Sequence, residues 1–138
     1  MTEIDYKNTE SYQKGLEYFL SKYEPHHIEI LNKLYAFSPA LADVVVSFGL
    51  CDIWLNKTAQ LTDREKEIAV LASLVTSGTV HKEIKAHAQC LLNKGMSKEQ
   101  IKELLVLLTL YIGVPKVILA SQLIDEAFIE YDRSNARS

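Results

Sequence analysis

Helix breakers are scarce in this sequence: five glycines and three prolines in 138 residues, about half the combined frequency of an average globular chain. So few breakers leave room for long helices, and the apolar spacing has a helical period. Tyr12, Leu16, Phe19, Leu20 and Tyr23 fall on one stripe. Pro25 stands where a second helix can begin, since a first turn does not use the missing N–H, and Ile28, Leu31, Leu34 and Tyr35 continue its apolar side. Ser38-Pro39 repeats the start signal with a hydroxyl cap. The segment Ala40 to Trp54 is apolar on every side, which predicts deep burial.

The second half carries sharper signals. Thr62-Asp63-Arg64-Glu65 and Ser97-Lys98-Glu99-Gln100 are both capping boxes, in which the first hydroxyl and the fourth side chain satisfy two orphan backbone N–H groups. The first box leads into Ile68, Leu71, Ala72 and Val75 and stops at Gly78; the second leads into Ile101, Leu104, Leu105 and Leu108 and stops at Gly113. Between them a helix from about His81 carries Ile84, Ala88 and Leu91 inward until Gly95. Leu104 to Leu108 is apolar all round, which predicts neighbours on all sides. Pro115 opens a last helix to about Tyr131, with a frayed tail after Arg133. Period-2 alternation of useful length is absent, so the fold class is all-α, in a single domain over 1–138.

Composition narrows the partners. Fifteen basic against eighteen acidic residues give a formal charge of −3, which disfavours a nucleic-acid partner held by general electrostatics. The longest apolar run, Leu104 to Val114, is too short to cross a bilayer. The opening MTEIDYKNTE is acidic and polar, unlike a signal peptide, and two cysteines make no disulfide framework, so a cytoplasmic protein is expected.

One constellation suits chemistry. Glu83, His87 and Cys90 lie at i, i+4, i+7 and share a helical stripe beside the apolar one. A carboxylate one turn from an imidazole can fix its tautomer and raise its basicity, which equips the ring for general acid–base work. The plain alternative is an ordinary i, i+4 pair on a solvated face. His81 and His87 are six residues apart and share no face, so no metal is expected.

The stretch from Phe48 to Phe128, about 80 residues in collinear order, resembles the carboxymuconolactone decarboxylase family, which has the alkyl hydroperoxidase D-like fold. The resemblance is carried by Asp52-Ile53-Trp54, Leu61-Thr62, Glu83-Ile84-Lys85-Ala86-His87, the run from Asn93 to Glu103, and Tyr111-Ile112-Gly113-Val114-Pro115. It implies a domain of six to seven helices that assembles into homo-oligomers, trimers or hexamers. Residues 1–37 correspond to a helical N-terminal extension and 38–132 to the core.

The resemblance also sorts the chemistry. The peroxidase-type branch carries C-x-x-C-x-x-x-H; here His87 matches the histidine, but Val80 and Glu83 stand at the cysteine positions, so the vicinal dithiol mechanism is not available. Glu83 resembles the decarboxylase branch, which uses no cofactor. The implied function is a carboxy-lyase acting on a small carboxylated lactone or related acid, with His87 as proton donor and Glu83 orienting it. Lys66 stands where that branch tends to carry a carboxylate-gripping arginine, and Trp54 and Tyr111 are candidate pocket residues. Leu107 replaces a histidine often found four residues before the tyrosine, which removes a polar group from the implied pocket. The alternatives are an antioxidant of alkyl hydroperoxidase or peroxiredoxin type using Cys90, with Cys51 as a possible second thiol, and a non-catalytic oligomeric member of the fold.

Overall fold

Both capping boxes form as the sequence predicts. The Glu65 N–H donates to Thr62 Oγ1 at 3.1 Å while the Thr62 N–H donates to Glu65 Oε2 at 2.7 Å. The same exchange links Ser97 and Gln100 at 3.1 and 2.9 Å. In the computed structural model, which describes residues 4–136, the helices are α1 (Glu10–Lys22), α2 (Ile28–Phe37), α3 (Pro39–Asp43), α4 (Asp63–Ser77), α5 (His81–Asn93), α6 (Lys98–Ile112) and α7 (Val114–Ala136). Helix α3 runs directly into a π-helical segment, Val44–Trp54, with wider turns than an α-helix. A 3-10 turn at Tyr6–Asn8 precedes α1, and another at Pro25–His27 leads into α2. The described residues contain no strand, and the fold is the all-α one expected for the carboxymuconolactone decarboxylase-like domain. No helix among them is long and apolar enough to cross a membrane.

The chain clusters into two units that divide between Gln60 and Leu61. In the first, α1 packs along the π-helical segment. The approach is so close that a Cβ on Gly15 would collide with the backbone carbonyl of Val46, so only glycine fits there. The buried stripe of α1 is Tyr12, Gly15, Phe19 and Lys22, with Leu20 exposed. Lys22 reaches the interior by laying its ammonium 3.3 Å from the centroid of the Trp54 ring, a cation–π contact that compensates part of its desolvation. The deep burial expected for Ala40 to Trp54 holds only for Ala42, Val46 and Leu50; Val44, Phe48 and Ile53 are exposed. An apolar helix is covered only where a neighbour exists, and α1 lies along one side of this one.

In the second unit α5 packs against both α4 and α7, and α6 packs on α7. The core is built from Leu71 and Val75 of α4, Ile84, Ala88 and Leu91 of α5, Ile101 and Leu105 of α6, and Ala120, Ile124, Ala127 and Phe128 of α7. Gly78 ends α4 at φ +73°, a left-handed conformation that side chains with a Cβ resist. Two expectations are corrected here. Helix α7 holds to Ala136 where fraying was expected after Arg133. Helix α6, expected to touch neighbours all round, buries Ile101 and Leu105 and leaves Val106 and Leu107 exposed, because α7 covers one of its sides.

Candidate functional site

A glutamate lies in register with the buried stripe of α4. Glu67, Leu71 and Val75 recur at i, i+4, i+8, and all three have no accessible surface. Facing Glu67 from α5 is His87, on the flank of the Ile84–Ala88–Leu91 stripe. Its Nδ1 lies 2.7 Å from Glu67 Oε2, and the two side chains are 12% and 0% exposed. An ionised carboxylate can only accept a hydrogen bond, so with Glu67 ionised the proton of this contact sits on Nδ1 of His87. A buried carboxylate without such a partner would cost several kcal/mol; a charge-assisted bond of this length recovers much of that.

The frame that holds the pair is polar at its edges. The Arg64 guanidinium, in the first turn of α4, donates to the backbone carbonyl of Lys94, past the end of α5, at 2.9 and 3.2 Å. The Lys94 ammonium returns to Asp63 at 3.2 Å. On the other side of α5, Lys85 meets Glu130 at 2.6 Å and Glu126 at 3.3 Å. The hydrogen bond to Glu130 raises the Lys85 ammonium above the ordinary lysine range. The buried Gln89 amide donates to the Ala127 carbonyl at 3.3 Å. These contacts pin α5 between α4 and α7, so the Glu67–His87 separation does not depend on packing alone.

The residues singled out in the sequence separate into those the structure gathers and those it scatters. His87 and Cys90 stand one turn apart on α5, and Cys90 is 1% exposed. Ligating atoms of Glu67, His87 and Cys90 all lie within 4.8 Å of one another, a group that could hold a metal ion among the described residues. Glu83, expected to orient His87, lies on the exposed side of α5; the carboxylate bonded to Nδ1 comes from α4 instead. Lys66 precedes Glu67 and is half-buried. Consecutive helical residues diverge by about 100°, so it presents a different face from Glu67. Trp54 belongs to the apolar cluster of the first unit, where it packs at 6.1 Å from Tyr18 and beneath Lys22. Tyr111, near the end of α6, is 78% exposed. Cys51 is a half-buried thiol in the π-helical segment. The residue missed by sequence reasoning is Glu67, and its signal was available: an acidic residue four positions before Leu71, on the stripe that should be apolar.

Comparison with known proteins adds to this geometry. The chain is 25% identical over 118 residues to the 4-carboxymuconolactone decarboxylase of Acinetobacter baylyi, a match covering 85% of this chain and 86% of that protein. The model of the carboxymuconolactone decarboxylase family matches residues 39–126, well over half of the sequence, and the chain therefore belongs to that family.

Proposed function

We propose that this chain is a cofactor-free carboxy-lyase acting on a small carboxylated lactone or related acid, with His87 as the proton donor and Glu67, in place of Glu83, as the group that orients it. The observation carrying the reading is the 2.7 Å contact between a fully buried carboxylate and an imidazole with a small exposed edge. Membership of the family and the likeness to a 4-carboxymuconolactone decarboxylase support the substrate class.

The chemistry runs in two steps. The bond between the substrate carbon and its carboxylate breaks, CO2 leaves, and the electron pair stays behind as an enolate-like anion delocalised toward the lactone carbonyl. A proton from Nε2 of the His87 imidazolium then goes to carbon, and solvent restores it. Glu67 stabilises the imidazolium through Nδ1 and fixes the orientation of the ring, the positioning and charge complementarity on which proton transfer depends. Lys66, on a different face of α4 from Glu67, is the proposed anchor for a substrate carboxylate that extends beyond the Glu67–His87 pair, acting as a point charge without the two-pronged grip of arginine. Measuring CO2 release across a panel of carboxylated muconolactones tests the reading. Turnover of one member, reduced at least about 100-fold in His87→Ala, is expected; activity of the variant equal to the parent removes the role.

A second reading, peroxide reduction at a cysteine, is favoured by the place of Cys90 beside His87. In that chemistry the thiolate attacks the O–O bond, leaving a sulfenic acid and an alcohol, and a small thiol reductant regenerates it. Peroxide consumption that persists in Cys51→Ser, Cys90→Ser excludes it.

A further inference from the structure

We infer that Glu67, His87 and Cys90 form a binding site for a thiophilic divalent ion, zinc by preference. The donor set is the first argument: one carboxylate, one imidazole and one thiol are the three side-chain types that zinc takes. They come from two packed helices, α4 supplying Glu67 and α5 supplying His87 and Cys90, and their ligating atoms already lie within 4.8 Å of one another. Tetrahedral zinc, with bonds of about 2.0 to 2.3 Å, spaces its donors by roughly 3.3 to 3.8 Å. Loading the ion therefore requires the 2.7 Å Nδ1–Oε2 contact to open and any separation near the 4.8 Å limit to close, each by about 1 Å or less.

Charge and burial select the ion. A thiolate and a carboxylate bring two negative charges into a place where Glu67 and Cys90 have almost no accessible surface, and a dication neutralises both. Magnesium and calcium require six or more oxygens, most of them from water or carboxylates, and this site offers one carboxylate. With Nδ1 as the nitrogen donor, the Cys90 thiol gives its proton to solvent and the ring proton moves from Nδ1 to Nε2, so one proton is released per ion when the ring starts neutral. Three protein donors leave a fourth position for an exogenous ligand, reached along the exposed edge of His87. The inference does not rest on the carboxy-lyase reading: the ion takes the Nδ1 and Oε2 atoms that the cofactor-free mechanism uses as a hydrogen-bonded pair, so the ion-loaded chain is a different state from the decarboxylating one, and the readout is binding.

The test is titration of the metal-stripped full chain with Co2+ in excess Mg2+. One ion per chain is expected, with a thiolate-to-cobalt charge-transfer band, visible bands of four-coordinate intensity, and displacement by Zn2+. Cys51→Ser should keep the charge-transfer band and Cys90→Ser should lose it at unchanged far-ultraviolet helicity. Glu67→Gln should weaken Zn2+ at least about tenfold, since loss of even an outer-shell group costs that much. X-ray absorption of the zinc-loaded parent, which needs no variant to fold, should show one sulfur neighbour at about 2.3 Å. The proposal is overturned if the parent gives no thiolate band, if the band persists in Cys90→Ser, or if zinc shows no sulfur neighbour.

Discussion

Glu67 concentrates the chemistry of this chain because a carboxylate with no solvent contact is held by an imidazole at 2.7 Å. Two glutamates compete for the same functional role, and their environments predict opposite outcomes. Glu67→Gln keeps the shape of the side chain and removes the charge that fixes Nδ1 as a donor. It should lower the decarboxylation kcat at least about tenfold with a smaller change in KM, as expected for a group that acts through the proton donor. Glu83→Gln alters an exposed position on α5 and should leave kcat within about twofold of the parent, because an exposed charge is well screened. Steady-state kinetics on both variants separates the two assignments: equal losses, or a larger loss at Glu83, would return the orienting role to the i, i+4 neighbour.

Among the elements, α1 and α4 owe their placement to single residues. Gly15 lets α1 approach the π-helical segment until the two backbones touch, and an added Cβ meets the Val46 carbonyl and its side chain. Gly15→Ala would raise helix propensity in an exposed helix; here it should destabilise the chain by about 1–3 kcal/mol, read as a lower urea midpoint, because overpacking outweighs propensity. Thr62→Ala breaks the hydroxyl half of the capping box at the start of α4, five residues before Glu67. The expected loss is about 1 kcal/mol in the same measurement. A midpoint unchanged in both variants would mean that these ends are held by something other than the contacts described.

At the scale of the whole molecule, the outstanding feature is exposed hydrocarbon on α6. Leu110 is 81%, Tyr111 78% and Val106 71% exposed, with Leu107 beside them. A solvated apolar face of this extent marks an interaction surface, and a second copy of the chain is the proposed occupant, in keeping with the homo-oligomer, trimer or hexamer, that the sequence suggests. The parent should sediment as an oligomer at micromolar concentration, and Leu110→Lys should shift it toward the monomer, because a buried ammonium without a partner carries a large desolvation cost. A monomeric parent would sink the proposal.

The amino-acid order by itself determined the helical class, the two capping boxes, the inward stripe of α5 and the family resemblance, because capping and the 3.6-residue period are local properties of the chain. It also singled out His87 and Cys90, which sit one turn apart on a single helix. Only tertiary structure decided which carboxylate meets the imidazole, since Glu67 is 20 positions away from His87 and no periodicity along one helix reports which neighbour packs against it. The same holds for the apolar helical stretches: the sequence shows that Ala40–Trp54 and Leu104–Leu108 of α6 are apolar on every side. Which of their faces are covered depends on where α1 and α7 lie, a consequence of packing between helices that the pattern within one helix does not report.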